Sequence, residues 1–279
     1  MLANEKKINK LFINWLYISL ILVFFIIIVG GLTRLTNSGL SITEWELLEG
    51  ILPPLTENSW NIYFEKYKQI PQFKLLNQNM SMDEFKTIFY WEYFHRILAR
   101  IIGVFFMIPL IFFYFTKKIK KDYIFICFLV LSLIILQGTI GWYMVQSGLV
   151  NDVTVSHYRL SFHLITAILI ISIIYWLIRN IISKDFKSFF KFKYSNLPFQ
   201  ILILLIYFQI LIGAFVSGLD AGMIYQTWPK MGNNYFPNDL VLNNFINMIE
   251  FDNHSLVQFY HRNLAYIIVT YVIFLTIYI

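Results

Sequence analysis

Charged residues and cysteine are scarce in this chain. Only 14% of its 279 residues are charged, whereas 58% are hydrophobic and 19% are aromatic. The single cysteine, Cys127, excludes a disulfide within the chain and a metal site built from several thiolates. This composition is typical of an integral membrane protein and argues against a soluble globular domain.

Long stretches without any charged residue predict where the chain crosses a membrane. Each is long enough, or nearly so, to span roughly 30 Å of hydrocarbon as an α-helix. The stretches are residues 11–33, 101–116, 123–151, 160–178, 197–219 and 263–279. We therefore expect an all-α integral membrane protein with about six transmembrane helices.

Lysine and arginine are concentrated in alternate connections between these stretches. They precede the first stretch at Lys6, Lys7 and Lys10, and they recur in residues 117–121 and 179–193. Because basic connections remain on the cytoplasmic side, the N-terminus is predicted to be cytoplasmic. The basic residues are thereby explained as topology signals and require no nucleic acid. The first stretch lacks a signal-cleavage or transit pattern, which predicts an uncleaved anchor in a bacterial plasma membrane.

Two pairs of segments show that the sequence contains an internal repeat. GGLTRLTNSGLSITEW (30–45) aligns with GAFVSGLDAGMIYQTW (213–228), and WEYFHRILAR (91–100) aligns with VQFYHRNLAY (257–266). The matched pairs include Gly30 with Gly213, Asn37 with Asp220, Gly39 with Gly222, Trp45 with Trp228, His95 with His261, and Arg96 with Arg262. Repetition in the same order predicts two related halves.

The repeat also predicts the domain boundaries. Residues 1–180 are expected to form a four-helix half, and residues 181–279 are expected to form two helices of an incomplete second half. Two further helices would complete a 4+4 architecture, so we expect a C-terminally truncated chain or a shortened form. The exterior loop 35–90 is too long for a passive connection. It is predicted to contain short helices that lie over the outer face of the bundle.

All five histidines fall on the predicted exterior side. His95 and His261 open equivalent helices, and His163 lies about one turn into another apolar stretch. Imidazoles that face a bundle interior from two helices can hold haem iron through two axial bonds. The alternative is an interfacial histidine hydrogen-bonded to a loop, which we favour for His157 and His254. A zinc or two-metal site is disfavoured because only one carboxylate accompanies the histidines.

That carboxylate, Glu92, marks a difference between the halves. It precedes His95 by three residues and shares its helix face, whereas the equivalent residue of the second half is the neutral Gln258. If one half performs chemistry, it is the first, because a carboxylate beside a porphyrin could relay protons or stabilise a cationic intermediate. The alternative is a helix N-terminal acid favoured by the helix dipole. Arg100, one turn beyond Arg96, is a candidate internal partner for a carboxylate or a carbonyl.

Arginines accompany the histidines at the predicted outer interface. They are Arg96, Arg159 and Arg262. A guanidinium binds a carboxylate bidentately, so these residues could hold haem propionates. The alternative is that they extend to lipid phosphates.

Five motifs of this chain together resemble the haem A synthase family, in the branch found in proteobacteria and mitochondria. They are GGLTRLTNSGLSITEW, EYFHR, YRLSFHL, AGMIYQTWPKM and VQFYHR, and the resemblance runs from about residue 28 to residue 270. It implies an eight-helix membrane protein built as two four-helix bundles. It also implies oxidation of the C8 methyl of haem O to a formyl group, which gives haem A for terminal oxidases.

The resemblance implies roles for individual residues. His95 and His163 would be axial ligands of the first-half haem, Glu92 the catalytic carboxylate, and His261 one ligand of a second-half haem b. The family's fourth histidine ligand lies on an eighth helix, which this sequence lacks. The implied partners are haem O as substrate, haem O synthase, the terminal oxidase assembly machinery, an electron donor and membrane lipid, and a homo-oligomer is compatible with the resemblance.

Two other functions account for part of the pattern. A diheme b-type electron carrier would use the same histidines, but it would need neither Glu92 nor the long exterior loop 35–90. A transporter would explain the internal repeat. It would not explain why the histidines gather on one face.

Overall fold

The computed structural model describes residues 2–45, 49–150, 152–183, 194–240 and 243–278. These residues are largely helical and contain no strand. The α-helices are α1 (Leu2–Leu35), α2 (Glu57–Tyr67), α3 (Pro71–Leu76), α4 (Met82–Thr116), α5 (Lys121–Val150), α6 (His157–Ser183), α7 (Leu197–Gly218), α8 (Phe245–Met248) and α9 (His254–Tyr278). Short 3₁₀ helices occupy Glu49–Ile51, Tyr194–Asn196 and Ala221–Met223.

Six of the helices are long and apolar enough to cross a membrane. They are α1, α4, α5, α6, α7 and α9. Even the shortest, α7 with 22 residues, is about 33 Å long at a rise of about 1.5 Å per residue. The prediction of an all-α integral membrane protein with about six transmembrane helices is therefore confirmed.

The described residues form two compact units. Unit 1 comprises Met1–Val155 and Thr166–Phe189. Its larger core combines buried apolar side chains from α1, α4, α5 and α6. Trp15 of α1 lies at the centre of this core, where its indole N–H donates to the Phe105 carbonyl at 3.2 Å and its ring lies 4.7 Å from that of Phe106.

The exterior loop of unit 1 contains two short helices, α2 and α3. Aromatic residues of α2 pack against the first turns of α4, with Phe64 and Phe85 stacked at 4.9 Å. Ser81 caps α4: its side chain accepts from the Glu84 N–H, and Glu84 accepts from the Ser81 N–H. This reciprocal pair fixes the start of the helix that carries Glu92 and His95.

Unit 2 comprises Ser156–Ile165 and Phe190–Ile279. The helix α6 therefore begins in unit 2 and continues in unit 1. The small core of unit 2 contains Phe215 of α7, Ala221 of the following turn, and Val257 of α9. The expected division into residues 1–180 and 181–279 stays a prediction.

Candidate functional site

Glu92 is the one charged residue that is fully buried in the described part of the chain, at 3% exposure. Its Oε1 accepts from Nη2 and Nε of Arg96, at 2.6 and 3.1 Å. Its Oε2 accepts from the Ser41 hydroxyl at 2.7 Å and from the Ile42 N–H at 2.9 Å. Four donors around two oxygens match an ionised carboxylate, which can only accept hydrogen bonds.

The chain reaches Glu92 through a tight turn at the end of α1. Asn37 adopts a left-handed conformation with φ of 51°, which asparagine tolerates better than most residues. The turn is closed by a hydrogen bond from the Ser38 N–H to the Thr33 carbonyl at 3.0 Å. It brings Ser41 and the following residues onto α4, which is why residues about 50 positions apart in sequence meet.

Arg96 of α4 binds the main chain of the exterior segment that follows the turn, residues 41–45. Its Nη2 donates to the Ile42 carbonyl at 2.9 Å, and its Nη1 donates to the Glu44 carbonyl at 3.2 Å. The Trp45 ring centroid lies 5.7 Å from the guanidinium carbon. The propionate contact predicted for Arg96 stays a prediction.

The second half repeats this framework. Arg262 donates from Nη2 to the Tyr225 carbonyl at 2.5 Å and from Nη1 to the Thr227 carbonyl at 2.6 Å. These two carbonyls are the repeat equivalents of the two that Arg96 binds. Asp220, the equivalent of Asn37, is also left-handed, with φ of 53°. The internal repeat seen in the sequence thus extends to the backbone turn and to the arginine contacts.

The polarity around the central residue is reversed in the second half. Gln258 is 4% exposed, and its Nε2 donates to the carbonyls of Tyr225 and Gly222, at 2.9 and 3.3 Å. Its Oε1 is buried and has no hydrogen-bond partner in the described part of the chain. Donors therefore surround Glu92, whereas carbonyl acceptors face Gln258.

A glycine lies against the imidazole ring in each half. A Cβ added to Gly30 would be 3.0 Å from Cε1 of His95, and one added to Gly213 would be 3.0 Å from Cε1 of His261. The Nδ1 atoms of both histidines are buried without a hydrogen-bond partner among the described residues. A buried polar atom of this kind normally has a partner. Two half-buried imidazoles in niches opened by glycine fit the ligands of a haem iron.

The two imidazoles differ in one neighbour. The Nε2 of Gln209 lies 3.3 Å from the Nε2 of His261 and donates to the His261 carbonyl at 3.2 Å. Gln209 precedes Gly213 by four residues, and Ile26 holds the corresponding place before Gly30. The amide of Gln209 therefore contacts both the ring and the main chain of His261. Among the described residues, no side-chain amide makes such a contact with the ring of His95.

The remaining predicted residues lie in unit 2. His163 and Arg159 lie on α6 and are half-buried. Since His163 belongs to unit 2 and His95 to unit 1, their pairing at one haem stays a prediction. The Nε2 of His157 lies 3.5 Å from Asp252, in keeping with the favoured loop-bound role, and His254 is exposed at the start of α9.

An open depression of about 650 Å³ lies between the end of α3 and the start of α4, and another of about 370 Å³ lies along α2. Neither is lined by a predicted site residue.

Sequence reasoning missed three contacts of the site, made by Ser41, Ile42 and Gln209. The repeat pointed to two of these residues, because it aligns a polar residue with an apolar one at both positions: Ser41 with Ile224, and Gln209 with Ile26.

Comparison with known proteins identifies the relatives of this chain. Residues 13–279 match the family described as cytochrome oxidase assembly protein. The chain belongs to this family. It is 48% identical to a heme A synthase of Pelagibacter ubique over 99% of this chain and 81% of the relative.

Further family members named heme A synthase are similar over most of their length. The protein of Allorhizobium ampelinum is 45% identical over 90% of this chain and 69% of its own. That of Rickettsia felis is 42% identical over 96% of this chain and 80% of its own. No solved structure matches the chain. The resemblance to the haem A synthase family is therefore confirmed, and the six long apolar helices make this chain a multi-pass membrane protein.

Proposed function

We propose that this protein is a haem A synthase, a membrane oxidoreductase that oxidises the C8 methyl of haem O to a formyl group. The observation that carries this function is the 48% identity to a protein named heme A synthase, which extends over 99% of this chain. The family description, cytochrome oxidase assembly protein, agrees with a product that is used by terminal oxidases.

His95 and His163 are proposed as the axial ligands in the first half, and His261 as a ligand of haem b in the second. The partnerless Nδ1 atoms of His95 and His261 and the glycines beside their rings support these assignments. Haem b, when bound, supplies one-electron transfer. His95 and His261 hold their rings at equivalent positions of equivalent helices, which makes a haem in each half the simplest expectation.

Glu92 is proposed as the catalytic carboxylate. Its position three residues before His95 puts both side chains on one helix face. The four hydrogen bonds on its oxygens hold the negative charge in place before the substrate arrives, as electrostatic catalysis requires. The guanidinium groups of Arg96, Arg159 and Arg262 would bind carboxylates such as haem propionates.

Identification of the haem that the protein produces tests this activity directly. The full chain would be produced in cells that make haem O but have no haem A synthase of their own, and the pigment of the purified protein would be extracted and identified. Haem A in the extract, absent from cells without the protein, is the expected result. Haem b alone would indicate the electron carrier instead, and no haem at all would indicate the transporter.

The proposed partners follow from this reaction. They are haem O synthase, the terminal oxidase assembly machinery, an electron donor and membrane lipid, with a homo-oligomer compatible and no nucleic acid involved. We also propose that residues 1–180 and 181–279 are the two halves of the protein.

We further propose that the protein lies in the bacterial inner membrane with its N-terminus cytoplasmic and its haem sites toward the exterior. The asymmetry of lysine and arginine supports this orientation. Single cysteines at Lys118 and Lys230, placed in a Cys127→Ala background, test it. A membrane-impermeant reagent applied from outside should label position 230 and leave position 118 unlabelled. The opposite pattern would place the histidines on the cytoplasmic side.

A further inference from the structure

Two of the four donors that face Glu92 come from the exterior segment after α1. The Ser41 hydroxyl is 2.7 Å from Oε2, and the Ile42 N–H is 2.9 Å from the same oxygen. Ser41 is itself buried, at 1% exposure. Among the described residues, its hydroxyl is the one uncharged side-chain group that hydrogen-bonds to this carboxylate.

The second half shows that the turn does not need this hydroxyl. Ile224 occupies the position equivalent to Ser41, yet Asp220 adopts the same left-handed conformation as Asn37. Arg262 also binds the two carbonyls that are equivalent to those bound by Arg96. The serine is therefore present where a carboxylate is present and absent where an amide replaces it, although the turn forms in both places.

We propose that Ser41 is a positioning residue for the reaction, acting through Glu92. Its hydrogen bond fixes the orientation of the carboxylate and stabilises its charge, so the exterior segment that carries Ser41 forms part of the reacting site. The proposal rests on the proposed function, because it assigns Ser41 to the step that Glu92 assists.

The effect of losing this hydroxyl follows from the hydrogen-bond count. In Ser41→Ala, Oε2 keeps only the Ile42 N–H, while Oε1 keeps both donors of Arg96. The carboxylate should rotate toward Arg96, since its two oxygens are no longer held equally. A hydrogen bond to a charged group typically changes an equilibrium or rate by about tenfold or more.

A double-mutant cycle tests whether Ser41 acts through Glu92. Conversion of haem O to haem A would be measured for Ser41→Ala, Glu92→Gln and the double variant of the full chain, at matched haem content. Ser38→Ala is the control, because Ser38 is buried in the same turn but its hydroxyl bonds to Thr36 and not to Glu92. The infrared band of the Glu92 carboxylate, assigned by its loss in Glu92→Gln, provides a readout besides activity.

Ser41→Ala should slow conversion about tenfold and shift the carboxylate band, with no further slowing in the Glu92→Gln background. Ser38→Ala should change neither quantity. Equal slowing by Ser41→Ala in both backgrounds, or an unshifted band, would overturn the proposal.

The cycle separates this proposal from the proposed function. A wild-type rate in Glu92→Gln would remove the catalytic role of Glu92, and the positioning role with it. A slow Glu92→Gln combined with a fast Ser41→Ala would overturn the positioning role alone. Absence of haem A from the wild-type protein would contradict the proposed function before the cycle is measured.

Discussion

The turns that follow α1 and α7 share two features and have opposite polarity. Each contains one left-handed residue, Asn37 or Asp220, and each is fastened by an arginine that binds two equivalent carbonyls. The first turn then offers two donors to Glu92, whereas the second offers two carbonyls to Gln258.

This difference separates what the fold requires from what the chemistry requires. The arginines and the left-handed residues occur in both halves, so they serve the architecture that the halves share. The carboxylate and its serine occur in one half only. We infer that the first half was specialised by changing a few side chains on a scaffold that both halves share.

Removal of the imidazoles should have the largest effect on haem binding in the two halves. His95→Ala and His163→Ala should each abolish tight haem binding in the first half, since a bis-histidine iron loses one axial bond. His261→Ala should remove only the second-half haem. Haem content and the low-spin absorption spectrum are the measurements, with His254→Ala, which alters an exposed histidine, as control. An unchanged low-spin spectrum in both first-half variants would show that the ligand pair is wrong.

Gln258→Glu tests the reversed polarity. A carboxylate at this buried position would face the carbonyls of Gly222 and Tyr225, which cannot donate to it. We expect a loss of stability of about 1–3 kcal/mol, because the substitution removes the two hydrogen bonds that Gln258 donates and places a buried carboxylate against carbonyl oxygens. Thermal unfolding in detergent would measure it against Gln258→Leu, which adds no charge. Equal melting temperatures of the two variants would argue against the polarity difference.

Gly30→Ala should have the smallest effect of the three. The new Cβ would lie 3.0 Å from Cε1 of His95, so the ring must shift by a few tenths of an ångström. Overpacking of this size costs about 1 kcal/mol, equivalent to roughly fivefold weaker haem retention in the first half.

Gly31→Ala is the matched control on the same helix. A Cβ at residue 31 meets no atom within 4 Å, and the second half already has Ala214 at the equivalent position. Haem retention in this variant should equal that of the wild type. Equal weakening by both substitutions would show that helix α1, and not the imidazole niche, is sensitive to the added methyl group.

The features that could be predicted from sequence are those set by local or periodic patterns. Charge-free runs located the six membrane helices, because a helix needs about 20 apolar residues to cross the hydrocarbon core. The repeat located the equivalent histidines and arginines. Each of these depends on residue types at fixed spacing.

The polarity around Glu92 could not be predicted in the same way. It depends on a main-chain N–H of Ile42, which every residue except proline carries, and on a turn that brings residues 50 positions apart into contact. The niche at His95 likewise depends on how closely α1 approaches α4. For Gln209, the sequence shows only that the equivalent residue of the first half, Ile26, is apolar.

The most direct test of the account is the conversion of haem O by the Glu92→Gln variant. It tests the claim that the Glu92 carboxylate takes part in the reaction. The amide oxygen can still accept from Ser41 and Ile42, but its nitrogen cannot accept from Arg96, so haem content must be verified beside the rate. We expect haem to remain bound through the histidines, and the ratio of haem A to haem O in the extracted pigment to fall by about a hundredfold or more. A wild-type ratio at wild-type haem content would contradict the account and leave Glu92 as an anchor of the exterior segment.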